Sequence, residues 1–133
     1  MSDAADKGRT LLARIFGEDY VAARAGRETE FTAAYNRLAE EAGYGLVWSR
    51  PGLDLKTRSL LTIASLTSLG RGNELRVHVL AAVNNGATVE EIREAILHTA
   101  IYAGFPAARD ATQIAQQVLQ ELGKLPAQES SGP

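Results

Sequence analysis

Glycines punctuate this chain at helix-length intervals. Gly17, Gly43, Gly70, Gly86 and Gly104 each close a stretch that reads as a helix, because a glycine past the last helical residue adopts the left-handed turn that ends one. Little room is left for strands, so the pattern predicts an all-α chain. The first segment covers about Ala4 to Phe16. A second, about Arg27 to Ala42, places Phe31, Ala34, Tyr35, Leu38 and Ala42 at near-helical spacing. From Tyr44 to Leu53 the run YGLVWSRPGL contains Pro51-Gly52 and reads as an ordered loop.

Asp54 is placed to cap a helix ending at Leu69, and Asn73 to cap one over about Glu74 to Asn84. Thr88-Val89-Glu90-Glu91 has the form of a capping box and opens a helix to about Ala103. Pro106 suits the first turn of a last helix with the core stripe Ala111, Ile114, Ala115, Val118, Leu119 and Leu122. The expectation is a compact bundle of about six helices forming a single domain over residues 1–125. The run PAQESSGP, 126–133, has nothing apolar to bury and is expected to be disordered.

Some of these helices are apolar on too many sides for a chain of 133 residues to cover alone. Between Glu74 and Val83, residues Leu75, Val77, Val79, Leu80, Ala81, Ala82 and Val83 occupy most of the circumference, and Leu60 to Leu69 behaves similarly. Packing between identical subunits is the expected solution. A net charge of −2, with no basic patch, argues against nucleic acid as partner. The absence of cysteine removes disulfides, thiolate metal sites and thiol nucleophiles together. With only His78 and His98 left, a histidine-rich metal site is not expected either. The opening MSDAADKGRT lacks the apolar core of a signal peptide, and no apolar run is long enough to span a bilayer. The expectation is a cytoplasmic protein with no membrane partner.

The segment richest in chemistry is Arg71-Gly-Asn-Glu-Leu-Arg-Val-His78. Glu74 and His78 are four apart, share one helix face, and have mostly aliphatic neighbours that would desolvate them. Such a pair can transfer a proton, with His78 as acid or base and Glu74 orienting it; it can equally be a surface pair or a satisfied buried histidine. His98 shares a face with Glu91, Glu94 and Tyr102, which reads first as a solvated or interface stripe. Arg58, in an otherwise apolar helix, either makes a structural ion pair or grips a carboxylate with both arms of its guanidinium. Trp48-Ser-Arg50-Pro-Gly sets the sole tryptophan beside a cation; it suits a small anion pocket or an anchor for the loop.

Four motifs then occur together: RPGLD (50–54), TRSLLTIA (57–64), ELRVHVLAAVNNG (74–86) and HTAIYAGFPAA (98–108). With TEFTAAYNRLAEEAGYG (29–45), they make about three quarters of the chain similar to the γ-carboxymuconolactone decarboxylase family of protocatechuate catabolism. The resemblance implies a small all-α subunit assembling into rings, trimers or hexamers, with pockets near subunit contacts. It implies an enzyme that needs no metal and no organic cofactor. It also implies a small anionic lactone as substrate, His78, Glu74 and Arg58 in catalysis, and Trp48, Arg50, His98 and Tyr102 in binding. Thiol peroxidases of the wider superfamily carry cysteines where Arg71 and Glu74 stand here, so cysteine peroxidase chemistry is excluded. Family members often have cysteine in place of Ala103 and a polar residue or histidine near Arg109-Asp110, differences that could reshape a pocket. Two other readings remain: a relative acting on another lactone or keto acid in secondary metabolism, and a non-catalytic oligomeric binding protein.

Overall fold

A computed structural model describes residues 2–127, whose regular elements are all helical, with no strand among them. Seven α-helices and one π-helical segment form two compact units, one up to Leu55 and the other from Lys56. The first unit holds α1 (Asp3–Phe16), α2 (Glu18–Arg27), α3 (Ala33–Leu38) and the π-helical segment Ala39–Trp48. The second holds all but the first residue of α4 (Leu55–Leu69), with α5 (Gly72–Asn84), α6 (Val89–Ala103) and α7 (Phe105–Glu121). Of the tail 126–133, all but the first two residues lie outside the described residues. None of the described helices is long and apolar enough to cross a membrane.

In the first unit the Ser2 hydroxyl accepts a hydrogen bond from the Ala5 N–H at 3.1 Å and caps α1. Helix α2 was not expected: none of its residues is fully buried, and its packed side is carried by the half-buried Tyr20, Val21 and Arg24, not by a long apolar stripe. The helix expected over Arg27–Ala42 is interrupted at residues 28–32. There the Thr29 N–H donates to the Thr32 hydroxyl at 2.9 Å, a local alternative to helical bonding. The chain resumes as α3 and widens into the π-helical segment, which runs through Gly43 and the first half of the expected loop. It packs backbone to backbone on α1. A side chain on Gly8 would overlap the Glu40 carbonyl, and one on Gly45 would overlap the Ala4 carbonyl. Arg24 of α2 adds a half-buried ion pair to Glu40 at 2.8 Å.

The second unit has one apolar core. Ile63 of α4, Leu75 and Val79 of α5, Ile92 and Ile96 of α6 and Leu119 of α7 meet there. The glycine stops behave as read at Gly17, Gly70, Gly86 and Gly104, with φ of +96°, +69°, +92° and +103°. Helix α5 starts earlier than expected, with Arg71 rather than Asn73 as its N-cap. Gly72 presses α5 against α7, where an added Cβ would lie 3.0 Å from Ile114 Cδ1. The capping box of α6 is present: the Glu91 N–H donates to the Thr88 hydroxyl, and the Thr88 N–H to the Glu91 carboxylate, both at 3.0 Å. The bond from the Thr88 backbone, followed by pairing to Lys56 at 3.1 Å, holds the Glu91 carboxyl below the usual carboxylate range. Along α7, Ala111, Ala115, Val118 and Leu119 are buried as expected. Leu122 is 37% exposed because the helix ends just before it.

The glycine contacts define a stability experiment. Gly8→Ala and Gly45→Ala should each destabilise the protein by about 1–3 kcal/mol through overpacking. Gly26→Ala, in open space on α2, should be neutral or stabilising by up to about 1 kcal/mol. Urea unfolding of the three variants measures the contrast; equal midpoints would contradict the backbone packing described.

Candidate active site

Helix α5 buries residues around most of its girth, and His78 is one of them, at 7% exposure beside Leu75 and Val79. One turn earlier Glu74 keeps its carboxylate largely in solvent; its Oε2 lies 3.9 Å from His78 Nε2. That separation is within ion-pair reach and too long for the hydrogen bond expected between them. Burial dominates the electrostatics: desolvation pushes the imidazole from its ordinary value of 6.5 down to about 4. His78 is therefore neutral near pH 7. In that form it offers one ring nitrogen as donor and one as acceptor.

Arg58 is half-buried on α4, where its carbonyl accepts from the Thr62 hydroxyl at 2.8 Å. The next residue, Ser59, is fully buried and accepts from Asn85 Nδ2 at 2.9 Å, tying α4 to the end of α5. This Ser59–Asn85 bond was missed in the sequence, although a serine inside an apolar helix is a signal for a buried polar partner. His98 and Tyr102 come together on α6 with ring centroids 5.1 Å apart. Both are exposed, next to the exposed Leu97 and Ile101.

In the first unit Trp48 is the last residue of the π-helical segment. Its indole stacks on Tyr44, with centroids 5.5 Å apart and planes at 29°. Tyr44 meets Phe16 edge-on at 5.9 Å, and Phe16 stacks on Tyr20 at 4.8 Å. The sequence reading placed Trp48 in a loop and missed this aromatic series. Its one visible trace is the four-residue spacing of Tyr44 and Trp48. Arg50 is exposed, and its N–H donates to the Val47 carbonyl at 3.1 Å. A cavity of about 420 Å³ lies between the end of α4, the start of α5 and α7, lined by Thr67, Arg71, Leu75, Asp110, Ile114 and Gln117 among others. None of the seven site residues expected from the sequence lines it.

Comparison with known proteins adds a family. The model of the carboxymuconolactone decarboxylase family matches residues 30–117. The chain is 41% identical over 120 residues to the 4-carboxymuconolactone decarboxylase of Acinetobacter baylyi, covering 90% of each. It is 38% identical over 117 residues to nitrosuccinic acid decarboxylase of Metarhizium robertsii, covering 88% of this chain and 82% of that protein. An uncharacterized 15.0 kDa protein of Paracoccus denitrificans is 43% identical over 83 residues, 61% of this chain and 62% of the relative.

The depressed pKa of His78 makes stability depend on pH. The unfolded chain binds a proton at this residue below about 6.5, whereas the folded chain resists until about 4. Stability contributed by the neutral imidazole is therefore complete above pH 6.5 and lost as pH falls toward 4. The amplitude is about 3 kcal/mol at most. Urea unfolding of wild type and His78→Gln from pH 4 to 7 should show wild type losing more stability at the acid end; parallel curves would contradict the buried neutral histidine.

Proposed function

Because the chain belongs to the carboxymuconolactone decarboxylase family, we propose that it removes CO₂ from γ-carboxymuconolactone to give β-ketoadipate enol-lactone in aromatic catabolism. It is a carboxy-lyase. The observation that best supports this reading at the level of residues is the buried, neutral His78 with the Glu74 carboxylate one turn away, in a chain that has no thiol.

The substrate's own bonding supports a reaction without an organic cofactor. The departing carboxylate sits on a saturated ring carbon that is joined, through a carbon–carbon double bond, to the lactone carbonyl. When the carbon–carboxylate bond breaks, its electron pair moves through that double bond onto the carbonyl oxygen as a furanolate. A proton then adds to the carbon next to the carbonyl. The protein must hold a dianion, stabilise the developing oxyanion and deliver that proton. Arg58 and Arg50 carry the first two tasks in this reading, as guanidinium partners of carboxylate and lactone oxygens. Trp48 contributes a flat apolar surface to the ring. His78 delivers the proton: the arriving dianion favours the charged imidazole and offsets its desolvation, and Glu74 orients and supports that charge.

His98 and Tyr102 complete the proposed binding set. Their exposure on α6 suits a role at a subunit contact, so the reading includes a homo-oligomer, trimer or hexamer. Leu97, Ile101 and Phe105, at 52%, 73% and 74% exposure, support it, since monomers rarely leave such a patch open. The reading places the enzyme in the cytoplasm, a compartment that a dianion barred from crossing a bilayer does not leave unaided. A second reading is favoured by the similarity to nitrosuccinic acid decarboxylase: the same machinery acting on a different small dicarboxylate.

Purified protein given γ-carboxymuconolactone should release CO₂ far above the spontaneous rate, unaffected by chelator. His78→Gln should lower kcat about 10²–10⁴-fold while the oligomer, a trimer or hexamer by light scattering, persists. Background turnover by a folded wild type would refute the lactone assignment, and turnover of nitrosuccinate in its place would establish the second reading. An unchanged kcat in His78→Gln would remove His78 from the mechanism, and a monomeric mass would refute the oligomer.

A further inference from the structure

Helix α5 ends on Asn85-Gly86, a dipeptide prone to lose its side-chain amide as ammonia. The reaction needs no catalyst. The Gly86 backbone nitrogen attacks the Asn85 side-chain carbonyl carbon, and a five-membered succinimide closes. The proton of that nitrogen leaves with the side-chain NH₂ as ammonia. Water then opens the ring at either carbonyl, giving aspartate or isoaspartate. Glycine favours the attack because no Cβ crowds the nitrogen and its backbone turns freely. Around Gly86 the space is open: an added Cβ would meet nothing within 4 Å, and the residue is exposed. Packing does not shield the dipeptide.

Hydrogen bonds hold it instead. With ψ of Asn85 at 8°, the Gly86 nitrogen lies over the Asn85 backbone nitrogen, turned away from the side chain it must attack. Two bonds that close the end of α5 keep it there. The Gly86 N–H donates to the Val83 carbonyl at 3.0 Å, and the Ala87 N–H to the Ala82 carbonyl at 2.9 Å. A third bond tethers the side chain: Asn85 Nδ2 donates at 2.9 Å to the hydroxyl of Ser59, a residue of α4 with 0% exposure. Ring closure requires a local opening that breaks all three.

We propose that Asn85-Gly86 is a latent deamidation site, kept in the amide form in the folded protein by the tether from Asn85 to Ser59. Of the three bonds, this one comes from another helix and restrains the amide under attack. It is also the one whose partner can be removed without touching the reacting dipeptide. The products do not suit the turn. Either one sets a carboxylate where Ser59 accepts from a donor. Isoaspartate also carries an extra atom through the main chain, which shifts the Gly86 and Ala87 N–H groups away from their carbonyls. Conversion would loosen the end of the helix that carries His78.

The test incubates the purified full-length protein in mildly alkaline buffer, folded and unfolded in urea. Peptide mass spectrometry follows aspartate and isoaspartate at residue 85. Folded wild type should convert at least about tenfold more slowly than the unfolded chain, the least expected of three hydrogen bonds. Ser59→Ala should raise the folded rate about two- to tenfold, the worth of one bond, and leave the rate in urea unchanged. Where the alanine variant does not fold, Ser59→Cys takes its place, since sulfur is a weak acceptor. Ile96→Val, in the core of the same unit, controls for general loosening, because it costs comparable stability far from the tether. It should stay within about twofold of the wild-type rate. Folded wild type converting as fast as the unfolded chain would overturn the proposal. So would a Ser59 variant that keeps the wild-type rate, or an acceleration that Ile96→Val matches.

Discussion

The second unit is organised by the requirement that α5 be buried on most of its sides. Leu75, Val79, Ala81 and Ala82 are all at 1% exposure or less, and His78 sits among them at 7%. An imidazole in such a place is expensive to charge, and its fall in pKa to about 4 is the measure of that expense. The same burial that stabilises the fold therefore sets the protonation state of the histidine to which the proposed mechanism gives the proton transfer. An ion pair with Glu74 does not undo this, because the Glu74 side chain is 67% exposed and its charge is screened by solvent.

A different constraint shapes the first unit. It has few large buried side chains beyond Leu12, Ile15 and Phe16, and its strongest packing is backbone against backbone. Gly8 and Gly45 are the two places where that approach is possible, and the π-helical segment is the form the chain takes between the contacts. It ends at Trp48, whose indole is supported through Tyr44 and Phe16. A wide helical turn ending in an aromatic stack is a rigid mount, which a loop of the same sequence would not be.

Much of this was legible in the sequence, for reasons that can be named. Four of five glycine stops were readable because each requires a positive φ, which side chains resist. The capping box at Thr88 and the stripe on α7 are local patterns with a local cause. Glu74 and His78 share a face because their spacing follows the helix period. Helix α2 escaped because it buries no residue fully: its contacts run through the half-buried Tyr20, Val21 and Arg24, too few apolar positions to show a stripe. Gly43 misled because a glycine that ends an α-helix and one inside a π-helix look alike in sequence. The depth of His78 and the Tyr44–Trp48 stack depend on which helices pack together, which one helix's pattern does not encode. Four short motifs together identified the family, since their joint spacing reflects the whole fold where each alone reflects a turn or a cap.

The proposed mechanism turns on His78, whose charge is set by burial and, in that proposal, reset by the arriving dianion. With His98 as the other histidine in the chain, nitrogen NMR of the imidazoles can follow His78 directly, with His98→Gln as the assignment control. The measurement is its titration midpoint in the free protein and with the saturated lactone dicarboxylate, which lacks the conjugated double bond and so keeps its CO₂. The account predicts a midpoint near pH 4 in the free protein and a rise of about one unit or more on binding the dianion. A midpoint near the ordinary 6.5 in the free protein, or one that the bound dianion leaves in place, would contradict it.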